Sequence, residues 1–288
     1  MVPRDVLAIG IEKALADFEL HLRELKIAER VHSVAHAAEI SNFDQAISII
    51  LVSIYEPLNQ ELLAKFTSLK AIVVLGTSTA KIDTAYCEAH DIQLLRVTSY
   101  CDEETAEWVV GHIINFFRGL GPFESRAAKP SSVHGKTLGL IGVGAVGECV
   151  LSLAHALGMR VMYHARGHKP HLGSAQFASI EEIFHEADVV SLHTPPHVEW
   201  LTSAQMSLLK PHALLINTCM GRVSRENSLE EFLSKRSDVS VVMDGVAAKS
   251  YPQLSHAVGT RQMAYWTRES EQRVKDKFWA HVQLITKK

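Results

Sequence analysis

Short apolar runs alternate with amphipathic stretches along most of the chain, and this alternation predicts a parallel α/β fold. Strands are predicted at 48–52, 71–75, 94–97, 138–141, 160–163, 188–192, 213–216 and 239–243. Helices are predicted at 59–66, 84–89, 103–118, 145–157, 180–185, 203–209, 228–235 and 267–282. The most ordered stretch is 135–166, GKTLGLIGVGAVGECVLSLAHALGMRVMYHAR. There an apolar run at 138–141 meets Gly142-Val143-Gly144-Ala145-Val146-Gly147. A helical segment with Leu151, Ala154 and Leu157 on one face follows, then a second apolar run at 161–163. The order is strand, glycine turn, helix, strand.

In that order the glycines have separate tasks. One makes the tight turn, one lets backbone approach a pyrophosphate, and one permits close helix–strand contact. The phosphates would sit at the helix N-terminus, where free N–H groups and the helix dipole favour negative charge. Gly142, Gly144, Ala145, Val146 and Gly147 are therefore the candidate dinucleotide residues. An NAD site usually places an acid about 20 residues on, against the ribose 2′-hydroxyl. Here that position falls on His164-Ala165-Arg166, followed by Gly167-His168-Lys169. With no carboxylate there, Arg166 favours NADP(H) over NAD(H), because guanidinium binds a phosphate bidentately. The alternative is an exposed loop arginine beside a lapsed site.

More than a hundred residues precede the glycine turn and form their own strand–helix series, so two α/β domains are expected. A substrate-type domain is expected at 1–102 with 268–288, and a dinucleotide-binding Rossmann domain at 103–267. Both would be Rossmann-like or flavodoxin-like with parallel sheets. The helix at 103–118 would bridge them, and Gly119-Leu120-Gly121-Pro122 would break it. A cleft between the two would take a small-molecule ligand.

Composition narrows the classes. The 288 residues are 47% hydrophobic and 21% charged, with net charge −3. That is ordinary for a globular chain, and there is no basic excess to suggest nucleic acid. No apolar run approaches a membrane span, and the N-terminus lacks a secretory pattern. The four cysteines, Cys87, Cys101, Cys149 and Cys219, show no CxxC pairing. The sixteen histidines are dispersed. A cytoplasmic protein without a metal or a disulfide framework is expected.

From about residue 48 onward the chain resembles the D-isomer-specific 2-hydroxyacid dehydrogenases, the group that includes glyoxylate/hydroxypyruvate reductases. Gly76-Thr77-Ser78-Thr79-Ala80-Lys81-Ile82-Asp83 resembles their substrate-domain loop, with Ser78 for a usual glycine and Ala80 for a usual aspartate. Glu104-Thr105-Ala106-Glu107 is similar to the "VAE" start of the linking helix. Leu192-His193-Thr194-Pro195 resembles the strand end beside the cofactor. Asn217-Thr218 opens an N-x-x-R-G-like turn, and Met243-Asp244 resembles the "LDV" strand end. The resemblance implies that Thr105, Thr194, Thr218 and Asp244 line the cofactor, with Asp244 at the nicotinamide amide. It also implies that Gly76, Thr77 and Ser78 face a substrate anion, and that the protein is a homodimer joined through its nucleotide domains.

The resemblance further implies three reacting side chains: an arginine on the substrate's oxygens, a histidine that moves the proton, and a glutamate that orients the histidine. Those positions fall on Met220, Gln262 and Lys249 respectively. Glutamine exchanges no proton near neutral pH, and methionine carries no charge. A positioned acid–base group is worth about 10²–10⁴ in rate, and an oxyanion stabiliser roughly 10²–10³. Ordinary 2-hydroxyacid turnover is therefore expected to be lost or altered. Arg222 would substitute for the arginine after a local slip inward, or else is a solvated turn residue. Lys249 is a proton donor if buried, or an exposed loop lysine. Tyr265 and Trp266 either narrow the cleft or pack between domains. Three readings remain open: an NADP(H)-dependent oxidoreductase with another substrate or proton route, a catalytically inactive nucleotide-sensing or partner-binding homologue, and a dimerisation scaffold that has lost the cofactor as well.

Overall fold

The structure, a computed structural model, describes residues 5–12, 14–15, 18–24, 26–28, 30–40, 46–124, 129–194, 202–219, 235–245 and 257–286. The chain divides into two compact units, Met1–Tyr100 with Arg268–Lys288, and Cys101–Thr267.

The first unit begins β1 (Asp5–Ile9), α1 (Phe18–Glu24), β2 (Arg30–Val34) and β3 (Ile47–Ser53). It continues α2 (Gln60–Leu63), β4 (Ala71–Leu75), α3 (Thr84–Ala89) and β5 (Gln93–Arg96). The five strands form one sheet in the order β2-β1-β3-β4-β5, parallel throughout. Both faces are covered, so the central strands read as continuous apolar runs. Their side chains nevertheless sort by the two-residue period of a strand. Leu7, Ile9, Ile50, Val52, Ile72 and Val74 fill one core, whereas Val6, Ala8, Ile49, Leu51 and Val73 fill the other.

The second unit runs α4 (Asp102–Arg118), β6 (Thr137–Ile141), α5 (Ala145–Ala156), β7 (Arg160–His164), β8 (Gln176–Phe177) and α6 (Ile180–Glu186). It ends β9 (Val189–Leu192), α7 (Ser203–Ser207), β10 (Leu214–Asn217), β11 (Ser240–Asp244) and β12 (Ala257–Thr260). Its sheet has the order β12-β11-β10-β9-β6-β7-β8 and is again all parallel. Ala106, Val109 and Ile113 of α4 join Val150, Leu151 and Ala154 of α5 over Leu138, Leu140, Val161 and Tyr163. On the opposite face, Ile183 and Phe184 of α6 cover Ile141, Met162, Val190 and Leu215. That helix lies directly on β6: a Cβ at Gly139 would collide with Ile183 Cγ2. α4 stops at Gly119, left-handed at φ 61°, with the Leu120 amide returning to the Asn115 carbonyl.

The helix α8 (Arg268–Thr286) belongs to the first unit. Its Phe278, Val282 and Ile285 complete the core that holds Val6, Ala8 and Leu51.

The sequence-based expectations differ from the structure mainly at short or exposed elements. β1, α1, β2, β8 and β12 were not anticipated, β5 begins one residue early, and α8 extends beyond 282. The helix expected at 228–235 lies almost entirely outside the described residues. No helix among the described residues is long and apolar enough to cross a membrane.

Candidate functional site

The crossovers leaving β6 in the second unit diverge, since β7 lies on one side of it and β9 on the other. At such a switch point the carboxyl ends of the strands open a crevice that suits a ligand. The glycine turn occupies it. Gly142 adopts φ 89° and its amide donates to the His164 carbonyl at 2.9 Å. A Cβ there would lie 2.5 Å from the His193 carbonyl oxygen and 3.0 Å from Thr194 Cγ2, so the end of β9 presses on the turn. A Cβ at Gly147 would meet the Gly142 carbonyl oxygen at 2.7 Å, which seats the first turn of α5 on the strand.

Gly144 differs from both. A Cβ there would meet nothing within 4 Å. It is the N-cap of α5 in extended conformation, and no side chain caps the helix. The helical ladder starts with Glu148 N–H donating to the Gly144 carbonyl at 2.9 Å. The Ala145, Val146 and Gly147 amides precede that bond and have no intrahelical acceptor. Three uncapped donors beside an open glycine fit a pyrophosphate, whose charge the helix dipole favours.

Beneath the turn, a buried polar relay ties β9 to β10. The Thr218 hydroxyl donates to the Leu192 carbonyl at 3.0 Å and also lies 3.2 Å from His193 Nδ1. With its proton so committed, Thr218 Oγ1 accepts from Nδ1–H, and His193 Nε2 then accepts from the Ser191 hydroxyl at 2.9 Å. His193 is half-buried, and desolvation pushes it down to about 4, so it is neutral at physiological pH. Alongside, Cys219 Sγ accepts from the Thr194 amide at 3.1 Å and donates to the Leu192 carbonyl at 3.3 Å. Burial raises this thiol above its ordinary range. The Asn217 side chain accepts the Cys219 amide at 2.8 Å and shapes the turn leaving β10. Thr194 and Thr218 are thus both at the crevice. Ser191 and His193 complete a relay that the sequence reading missed. A polar residue inside the apolar run of β9 was the available signal.

At the end of β7, Arg166 is exposed and makes no ion pair with a described residue. His164 Nδ1 donates to the Ala178 carbonyl at 3.0 Å. The His168 ring meets Phe177 edge-on, with centroids 5.8 Å apart. Lys169, the other cation of this stretch, is paired: its ammonium lies 3.1 Å from Glu148 Oε1 in α5.

Asp244, at the end of β11, is 2% exposed. Its carboxylate accepts the Thr260 hydroxyl at 2.6 Å, the Met263 amide at 2.7 Å and the Ala264 amide at 3.2 Å. These bonds clamp the turn that carries Gln262, which sits left-handed at φ 52°. Trp266 is exposed and Tyr265 half-buried beyond that turn. On α4 the Thr105 hydroxyl is committed to the Cys101 carbonyl at 2.8 Å. His112 Nδ1 is buried without a partner among the described residues. Burial lowers the pKa of that ring, and the Asp244 charge opposes the shift. Met220, Arg222, Lys249 and Pro195 lie outside the described residues.

In the first unit Gly76 has φ 131°, and a Cβ would stand 2.8 Å from Ile54 Cγ2. Its amide donates to the Val74 carbonyl at 3.0 Å. The Thr77 amide has no partner among the described residues. The Thr77 carbonyl accepts from Arg96 Nη1 at 3.0 Å and its hydroxyl donates to Val97 at 2.9 Å. Ser78 Oγ accepts the Ala80 amide at 3.3 Å. No group of three His, Cys, Asp or Glu that would hold a metal occurs among the described residues.

Comparison with known proteins gives these features a family. Residues 113–267 match the model of the D-isomer specific 2-hydroxyacid dehydrogenase NAD binding domain. The chain is 28% identical to the (S)-sulfolactate dehydrogenase of Chromohalobacter salexigens over 255 residues, covering 81% of this chain and 80% of that one. The structure of Aquifex aeolicus D-lactate dehydrogenase, complexed with NAD and lactic acid, superposes with a TM-score of 0.81 at 22% identity. It covers 98% of this chain and 95% of that one. An acyclic imino acid reductase (Bsp5) in complex with NADPH and D-Arg gives a TM-score of 0.79 at 23% identity, covering 98% and 94%. The chain belongs to the D-isomer specific 2-hydroxyacid dehydrogenase family, and its second unit is built on that family's NAD-binding domain.

Proposed function

We propose that this protein binds NADP(H) in preference to NAD(H) and does not turn over ordinary 2-hydroxy acids. The Ala145, Val146 and Gly147 amides hold the pyrophosphate beside Gly144, while Gly142 shapes the turn. Arg166 receives the 2′-phosphate. Thr105, Thr194, Thr218 and Asp244 frame the remainder of the dinucleotide. A nicotinamide cofactor held there would supply or accept a hydride. Transfer of that hydride to a carbonyl must be matched by a proton delivered to oxygen.

Gln262 carries the reading. It occupies the family's histidine position, in a turn whose backbone Asp244 holds firmly, yet its amide has no proton to exchange near neutral pH. Met220 in place of the arginine removes the cation, and Lys249 in place of the glutamate reverses a charge. A dinucleotide can therefore bind without the proton and the anion clamp that 2-oxo acid reduction requires.

The test pairs binding with turnover. Nicotinamide fluorescence titration is expected to give tighter binding of NADPH than of NADH. Reductase assays with glyoxylate, hydroxypyruvate and pyruvate are expected to give no turnover. Robust activity on those acids refutes the catalytic half, and tighter NADH binding refutes the cofactor half.

A further inference from the structure

The loop after β7 carries the cations on which cofactor choice depends, and no residue of that loop supplies an acid. The fold brings one from elsewhere. Glu148, in the first turn of α5, reaches the loop and places Oε1 3.1 Å from Lys169 Nζ and 3.2 Å from His171 Nε2. The loop is held in place to receive it. The Lys169 amide donates to the buried Tyr163 hydroxyl at 2.8 Å, and Pro170–Leu172 forms a 3₁₀ turn. The Lys169 side chain is 29% exposed and that of Glu148 40%. Arg166 and His168, by contrast, face solvent.

We infer that Glu148 is a specificity-determining residue, which restrains the NADP(H) preference by pairing with Lys169 and so neutralising it. The inference rests on the NADP(H) reading above. Two effects follow from elementary electrostatics. The carboxylate occupies the positive end of α5, where it competes with any bound pyrophosphate, NADPH and NADH alike. It also neutralises a cation that only a 2′-phosphate would use, and this second effect separates the two dinucleotides. At the separations and exposure of this corner, a unit charge acting on a phosphate is worth roughly fivefold in affinity.

The affinities of NADPH and NADH, measured by nicotinamide fluorescence on the full chain, supply the test. Glu148→Gln keeps the shape and removes the charge. It is expected to raise the NADPH:NADH affinity ratio about fivefold, and adding Lys169→Ala is expected to return the ratio to that of the unmodified protein. Thermal unfolding of each variant establishes that the fold is retained. An unchanged or lower ratio in Glu148→Gln overturns the inference, as does a gain that survives in the double variant or an absence of dinucleotide binding altogether. The underlying reading fails separately: it falls if the unmodified protein prefers NADH, or if Arg166→Ala leaves the ratio intact, whatever Glu148→Gln does.

Discussion

The glycine turn after β6 and the turn bearing Gln262 after β12 lie in one unit, and they have fared differently. Both backbones are tightly specified. Gly142 cannot carry a Cβ because the His193 carbonyl oxygen would stand 2.5 Å from it. The second turn hangs on three hydrogen bonds to Asp244. The first turn acts through backbone N–H groups, which every residue but proline provides. Under the proposed reading, the second stands where the family acts through one imidazole, and Gln262 takes that place. A main-chain function outlasts sequence drift more readily than a side-chain function does, even where the scaffolds are equally well kept.

The largest expected effect comes from erasing that difference. Combining Met220→Arg, Lys249→Glu and Gln262→His restores the proton carrier, its orienting acid and the cation. Reduction of glyoxylate or hydroxypyruvate, followed by NADPH absorbance, is expected to rise at least ~100-fold over the unmodified protein. No rise would show that the Gln262 turn is not in the reacting position. Next come the glycines, which split one turn into two roles. Gly142→Ala forces a Cβ into backbone at φ 89°. It is expected to cost about 3 kcal/mol or more in thermal unfolding and to abolish dinucleotide binding. Gly144→Ala meets open space, so stability should change by less than about 1 kcal/mol while dinucleotide affinity falls roughly tenfold. Equal effects at the two positions would break the distinction between packing glycine and cradle glycine.

A smaller effect concerns the relay under the turn. His193 is held down to about 4 by burial, whereas an unfolded histidine titrates near 6.5. As pH falls below that value, the unfolded chain takes up a proton that the folded one refuses. The stability contribution is full above about pH 7 and is lost by about pH 4, amounting to roughly 3 kcal/mol. Chemical denaturation across that range should show the slope, and His193→Asn should remove this part of it. Asparagine can also still donate to Thr218 from the Nδ1 position, so at pH 7.5 that variant should lose only about 1–2 kcal/mol. A larger loss at pH 7.5 would mean that the Ser191 link holds the strand ends together.

What was legible in the sequence follows from distance along the chain. The glycine turn could be read because its glycines, strand and helix lie within one short stretch. The strands β4, β6 and β7 announced themselves as apolar runs buried on both faces. β2 did not, because Arg30 and Ser33 keep it polar at the sheet edge, and β12 is an edge strand interrupted by Gly259. β1 is fully buried, but its run is short and ends in Gly10. The relay was hidden for another reason. Thr218 and His193 stand 25 positions apart and meet only through the register that pairs Asn217 with Leu192. Glu148 and Lys169 are likewise 21 apart, so a loop that reads as free positive charge is partly neutralised in space. Of the three positions that the resemblance assigns to reacting side chains, only Gln262 falls among the described residues.

One feature of the first unit bears on how the molecule is made. Phe278, Val282 and Ile285 sit in the same core as Val6 and Leu51, and the Arg273 guanidinium donates to the Tyr100 carbonyl across 173 positions of chain. On the ribosome, the five-stranded sheet therefore emerges first but waits, with one face covered only in part by Phe18 and Leu22 of α1, until α8 has been synthesised. The seven-stranded unit, whose strands and helices all lie between Cys101 and Thr267, can close before it. Translation order and completion order are reversed. The early strands, apolar and only partly covered on one face in the interval, are where nascent-chain chaperones would be needed most.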